Sequence, residues 1–95
     1  MSAKKQLKLT ARAFRNIAAA EDFISKENPV AAQKVVESIY KTAEKLETHS
    51  ELGKPGRLAG TRELVLSKYP FIIVYRVRAT QVVVYSVLHQ SRRYF

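Results

Sequence analysis

The sequence predicts an α+β domain in which an N-terminal helical hairpin packs on a twisted, mainly antiparallel sheet. Three observations lead there. Two runs rich in Val, Ile, Leu and Tyr, between Gly60 and Val77, flank a short polar break, Ser67-Lys68-Tyr69-Pro70, the pattern of two antiparallel strands and their turn. A third apolar run, Val82 to Leu88, can pair beside them. Upstream, apolar residues recur at helical spacing on both sides of Asn28-Pro29. Helices first and strands later place the helices on one face of the sheet.

Each element has its own justification. Leu7-Lys8-Leu9 alternates and reads as the end of a short first strand, joining the sheet at an edge. Thr10 can cap a helix that runs to about Ser25, with Phe14, Ile17, Ala20 and Ile24 as its buried stripe. Asn28 caps a second helix that has Pro29 at its first position, where the missing N–H costs nothing. Ala32, Val36, Ile39, Ala43 and Leu46 form its stripe, with Val35 and Tyr40 at the margins. From Thr48 to Gly60 the pattern stops, and this basic stretch holds all three glycines, so it reads as a loop. Pro70 suits the first residue of a strand but not its middle. Alternation then puts Phe71, Ile73, Tyr75 and Val77 on one face, and Ile72, Val74, Arg76 and Arg78 on the other. Continued through the third run, it groups Val83, Tyr85 and Val87 with His89, which makes Tyr75 and Tyr85 core residues.

Ninety-five residues make one domain, spanning 1–95. Seventeen Lys and Arg against eight Asp and Glu give a net charge of +9. Residues 50–95 hold eight basic and only two acidic residues, so the sheet half carries most of the excess. A field of that sign attracts nucleic acid, ribosome, anionic membrane or an acidic protein. The chain has no cysteine, which excludes disulfides, thiolate nucleophiles and thiolate zinc sites. No apolar run approaches the roughly 20 residues of a membrane span. The first residues lead into alternating Leu and Lys rather than a signal-peptide core, so a cytoplasmic location is expected. No phosphate loop or dinucleotide fingerprint is present, and the two histidines lie forty positions apart. No cofactor and no metal are expected.

What remains is a basic group, Lys54, Arg57, Arg62, Arg76, Arg78, His89, Arg92 and Arg93, interleaved with Tyr69, Tyr75, Tyr85 and Tyr94. Arginine clamps phosphates and carboxylates through paired N–H bonds, and tyrosine offers a stacking face and a hydroxyl. Three stretches then carry a resemblance: the Gly-Thr-Arg-Glu-Leu-Val start, the Tyr-Pro-Phe-Ile-Ile-Val-Tyr-Arg-Val strand and the Val-Leu-His-Gln-Ser-Arg-Arg-Tyr ending. Together with the order of elements, they resemble the RelE/ParE superfamily of toxins from type II toxin–antitoxin systems. The similarity covers nearly the whole chain and is strongest over residues 56–94. It implies a growth-inhibiting toxin silenced by a cognate, acidic antitoxin in a hetero-oligomer, and a helical hairpin on a twisted antiparallel sheet.

The resemblance leaves two activities open. RelE-like members cut mRNA on the ribosome, holding the scissile phosphate with basic residues while a nearby group moves protons. On this chain that would make Arg62, His89, Arg92 and Tyr94 the catalytic candidates. ParE-like members poison DNA gyrase instead, through a binding surface for which Lys54, Arg57, Arg62, Arg76, Arg92 and Arg93 are the candidates. In the ribonucleases a basic residue usually stands where this chain has Ile72, and some members carry a carboxylate where it has Gly56. The central strand and the Leu-His-Gln-Ser-Arg-Arg tail resemble the ParE-like branch more closely.

Overall fold

A computed structural model of the chain describes residues 4–92. Strand β1 (Gln6–Leu9) is followed by helices α1 (Ala11–Ser25) and α2 (Pro29–Lys45). Then come β2 (Lys54–Pro55), β3 (Arg62–Val65), β4 (Phe71–Val77) and β5 (Gln81–His89), and a closing 3-10 turn, Gln90–Arg92. The five strands form one sheet in the order β1-β5-β4-β3-β2. β1 pairs with β5 in parallel, and the other pairings are antiparallel.

Both helix starts follow from single polar residues. The Thr10 hydroxyl accepts a hydrogen bond from the Ala13 N–H at 3.1 Å and donates to the Tyr85 carbonyl at 2.8 Å. The cap therefore also pins the start of α1 to β5. Asn28 Oδ1 accepts from the Ala31 N–H at 3.1 Å, with Pro29 at the first helical position. Beyond the end of β1, the Asn16 side chain accepts from the Val87 N–H at 3.0 Å. α1 thus takes over from the short β1 in covering the edge of β5.

One core lies between the helices and one sheet face. It comprises Ala13, Ile17, Val35, Ile39, Ala43 and Leu46 against Leu66, Phe71, Ile73, Tyr75, Val82, Val84 and Val87. Most of each expected stripe is buried or packed on the core, and one position in each helix differs. Ala13 is buried while Phe14 stands 52% exposed, and Val35 rather than Val36 is central. The spacing is correct in each case; which of two adjacent residues is buried is set by tertiary ties such as Thr10 to Tyr85, which periodicity does not contain.

The β4–β5 ladder departs further from simple alternation. Val74 faces Ser86 but Tyr75 faces Val84, so the register passes over Tyr85. This irregularity switches the facing of β5 part-way along its length. Val82, Val84 and Val87 therefore turn to the helices, and Val83, Tyr85 and Val87 do not share a face as alternation predicts. Tyr85 is only partly buried and is not a core residue.

The stretch read as a loop contains β2, too short for any periodicity to reveal. Lys54 pairs with Glu63 and Pro55 with Arg62. The approach to it is held by the wholly buried Tyr75. Its hydroxyl accepts from the Gly53 N–H at 2.8 Å and donates to the Ser50 carbonyl at 2.7 Å. Burial pushes the pKa of this hydroxyl above its ordinary 10.0, with the Gly53 hydrogen bond and the Arg62 charge acting the other way.

Ile73→Ala, at a fully buried position, is expected to destabilise the fold by about 2–5 kcal/mol through lost burial and a residual cavity. Thermal or denaturant unfolding measures this, and an unchanged midpoint would mean the strand faces are assigned backwards. Tyr75→Phe leaves the Gly53 N–H and the Ser50 carbonyl without their partner, at a cost of about 1–3 kcal/mol. It should also change the alkaline limb. With a raised folded pKa, stability is complete below the ordinary tyrosine value and falls as pH rises from about 10 through the folded value. The wild type should lose stability more steeply there than Tyr75→Phe; equal slopes would refute the assignment.

Candidate functional site

The basic candidates divide between the two faces of the sheet. Arg62, on β3, lies opposite Tyr75 on the helix side. Its Nη1 donates to the Gly53 carbonyl at 2.6 Å and to the Glu51 carbonyl at 3.4 Å, so it braces the same loop as Tyr75. His89 ends β5 opposite Phe71, exposed, with its ring edge-on to the phenyl at 5.3 Å between centroids. Its Nδ1 accepts from the Ser91 N–H at 3.1 Å and lies 2.8 Å from Ser91 Oγ. Accepting at Nδ1 places the proton of the neutral ring on Nε2.

Arg62 and His89 are not brought together. Their ladder partners, Tyr75 and Phe71, are four residues apart on β4, about 13 Å at a strand rise of roughly 3.3 Å per residue. Arg62 stands beside one edge of β4 and His89 beside the other. Arg92 closes the 3-10 turn, while Arg93 and Tyr94 lie outside the described residues.

The remaining candidates sit elsewhere. Lys54 is exposed on β2. Arg57 is exposed in the loop that follows, its backbone N–H donating to Glu63 Oε2 at 3.0 Å. Arg76 is on the face turned away from the helices. Its Nη2 donates to the Ala59 carbonyl at 3.2 Å, and its guanidinium lies 5.6 Å from the Tyr85 ring centroid. Gly60, at φ +79°, allows the loop backbone to pass close over this guanidinium. Arg78 donates to the Tyr85 hydroxyl at 3.5 Å, and that bond, ahead of the Arg78 and Arg76 charges, holds the hydroxyl below the ordinary tyrosine pKa. On the same face Val65 and Leu88 flank Ile72 across the ladder, an apolar row whose centre is buried.

The structure also exposes an apolar surface that extends from the α1 stripe to Phe23. Ala20, Phe23 and Ile24 of α1 face Tyr69, Phe71 and Val87 across a groove of about 780 Å³. Phe23 is 76% exposed. A concentrated exposed apolar patch on a small domain marks an interaction surface. Phe23 falls off the periodic stripe, and that was the one available signal. Among the described residues no group of three His, Cys, Asp or Glu could hold a metal, and no helix is long and apolar enough to cross a membrane.

The fold and sequence both have known counterparts. Residues 7–94 match the family described as "ParE toxin of type II toxin-antitoxin system, parDE". Y4kP of Sinorhizobium fredii, a protein named as a toxin, is 35% identical over 91 residues, covering 96% of this chain and 94% of the relative. Toxin RelE3 of Caulobacter vibrioides is 30% identical over 91 residues, covering 94% and 98%. Among solved structures, the chromosomal ParDE toxin-antitoxin system of P. aeruginosa superposes with a TM-score of 0.82 at 25% identity, covering 93% of this chain and 98% of that one. The RelBE2 toxin-antitoxin complex of Mycobacterium tuberculosis shares the fold with a TM-score of 0.58 at 24% identity, covering 90% and 98%. With its helical hairpin on a five-stranded sheet and a family match over nearly its full length, the chain belongs to the ParE toxin family of type II toxin-antitoxin systems.

Proposed function

We propose that this toxin acts in the ParE-like manner, arresting growth by binding DNA gyrase through a cationic surface, with no phosphodiester chemistry of its own. The observation that carries this reading is the separation of Arg62 from His89. General acid–base catalysis needs its proton-transfer group within hydrogen-bond reach of the reacting atoms, with charge-stabilising donors on the same centre. Two groups about 13 Å apart along a rigid sheet, one engaged with loop carbonyls, do not converge on one phosphate. The apolar row Val65, Ile72 and Leu88 supports it too, since the resemblance to the ribonuclease branch would imply a cation where this chain has Ile72.

Arg92 and Arg93, at the end of the strongly basic half, are then target-binding residues, with Lys54, Arg57 and Arg76 contributing to the field that steers association. Cytoplasmic action follows from such a target. The second reading, a RelE-like ribosome-dependent endoribonuclease, is favoured by the 30% identity to a protein named Toxin RelE3. It would rest on Arg92 and Tyr94 with Arg62 or His89.

The antitoxin would dock on the apolar groove at Phe23, with acidic residues set against the basic sheet half. An exposed phenyl beside a concave apolar surface is the anchor such an interface needs.

Induced expression, with plasmid topology and mRNA integrity followed in the same cells, tests the main reading. Gyrase-type topology changes and DNA-damage signalling should appear without early mRNA cleavage. His89→Ala should retain growth arrest, whereas neutralising Arg92 and Arg93 together should weaken target binding in a salt-dependent way. Cleavage by purified protein on ribosomes, lost in a folded His89→Ala variant, would overturn the reading in favour of the enzyme. For the antitoxin, the association rate should fall by about tenfold or more from low to high salt. Phe23→Ala should weaken the pair by about 1–2 kcal/mol without lowering the toxin's own melting temperature. An unchanged dissociation constant would move the interface elsewhere.

A further inference from the structure

The sheet face turned away from the helices carries a second concavity, distinct from the groove at Phe23. It is a groove of about 380 Å³ between the first turn of α1, the loop at Leu58 and Thr61, and strands β4 and β5. Buried Val74 lies at its base, half-exposed Leu58 forms an apolar wall, and Arg12 and Arg76 contribute the cations.

Three features favour negative charge in this groove. Arg76 is held by the Ala59 carbonyl and the Tyr85 ring, yet its Nε is buried with no hydrogen-bond partner. A buried donor left unpaired is unfavourable, and Nε is one of the two N–H groups with which a guanidinium grips a carboxylate side-on. Secondly, α1 begins with no acidic residue in its first turn and has Arg12 at the second position. A cation at the positive end of a helix is the reverse of the favourable arrangement. Thirdly, among the described residues neither Arg12 nor Arg76 has a carboxylate partner. The nearest loop acid, Glu63, accepts from the Arg57 backbone instead.

Shape selects among anions. The groove has room for one or two side chains, and one face of the Tyr85 ring is already covered by Arg76, which leaves little stacking platform for a nucleobase. Leu58 and Val74 suit an aliphatic neighbour to the charged group. We propose that this groove binds an acidic peptide segment of a protein partner, one carboxylate bridging Arg76 and Arg12 while the adjacent apolar side chain covers Leu58 and Val74. The proposal rests on the antitoxin reading and deepens it, placing part of the partner on the sheet face opposite the Phe23 groove.

The test uses the full-length chain, isotope-labelled for amide NMR. It is titrated with the capped peptide Glu-Leu-Asp-Leu-Glu, with its uncharged counterpart Gln-Leu-Asn-Leu-Gln, and with an oligothymidylate of about twelve nucleotides. The acidic peptide should shift amides at 58–61, 74–76 and 84–86, and the uncharged one should bind at least about tenfold more weakly. Arg76→Gln should weaken the acidic peptide by a similar factor. Because that change could also loosen the Leu58–Thr61 loop, Arg12→Gln, at an exposed position, provides a second variant and should weaken it about threefold to fivefold. Equal binding of both peptides, shifts confined to the Phe23 groove, unchanged affinity in both variants, or displacement of the peptide by the oligothymidylate with the same shifts would each overturn the proposal. Growth arrest on induction reads the toxin function separately. A chain that arrests growth but gives no groove shifts defeats this proposal alone; one that binds the peptide in the groove without arresting growth supports it and defeats the toxin reading.

Discussion

The pairing of β4 with β5, and the step in its register at Tyr85, is the constraint on which most of the molecule depends. An unbroken ladder would present Val83, Tyr85 and Val87 to one side. Passing over Tyr85 instead places Val84 and Val87 against the same helices and sends the phenol to the opposite face. The backbone at this point is also a docking point, since the Tyr85 carbonyl receives the Thr10 hydroxyl that starts α1. A single irregularity therefore shapes the β5 side of the core, the docking of the first helix and the chemistry of the outer face.

The segment between α2 and β3 shows how both faces of a thin sheet can hold one loop. From the helix side, the Tyr75 hydroxyl and the Arg62 guanidinium bind the backbone at Ser50, Glu51 and Gly53. From the other side, Arg76 reaches the Ala59 carbonyl. With no regular secondary structure beyond the two residues of β2, these side chains provide the backbone partners that a longer strand would have supplied. Two of the most conspicuous arginines, Arg62 and Arg76, are thus structural in part, since each holds the loop backbone. This is why cationic residues that look alike in the sequence differ in what they are free to do.

Charge is distributed to match. Lys4 and Glu47 form an ion pair at the sheet edge, 3.8 Å apart with the lysine well exposed, so it contributes little. Residues 50–95, the sheet half, carry most of the excess positive charge. Apolar exposure at Phe23 and cationic exposure on the outer face sit on different sides of the sheet. An extended antitoxin of the kind proposed above would engage both.

The sequence by itself determined the elements whose signals are local. Thr10 and Asn28-Pro29 announce their helices because a cap acts within one turn, and the Phe71–Val77 run announces its strand because its branched and aromatic residues suit a buried pleat. The motifs of the sheet half were enough to indicate the toxin superfamily. The tertiary structure alone decided how these elements are turned toward one another. Ala13 rather than Phe14 is buried because a contact 75 residues away orients α1, and Tyr85 leaves the core because the ladder slips beside it. It alone decided, too, that Arg62 and His89 stand apart, since β4 lies between their strands, and that Arg12 and Arg76 approach one groove from opposite ends of the chain. Such relations are set by packing and register across the whole sheet, which no local window of residues contains.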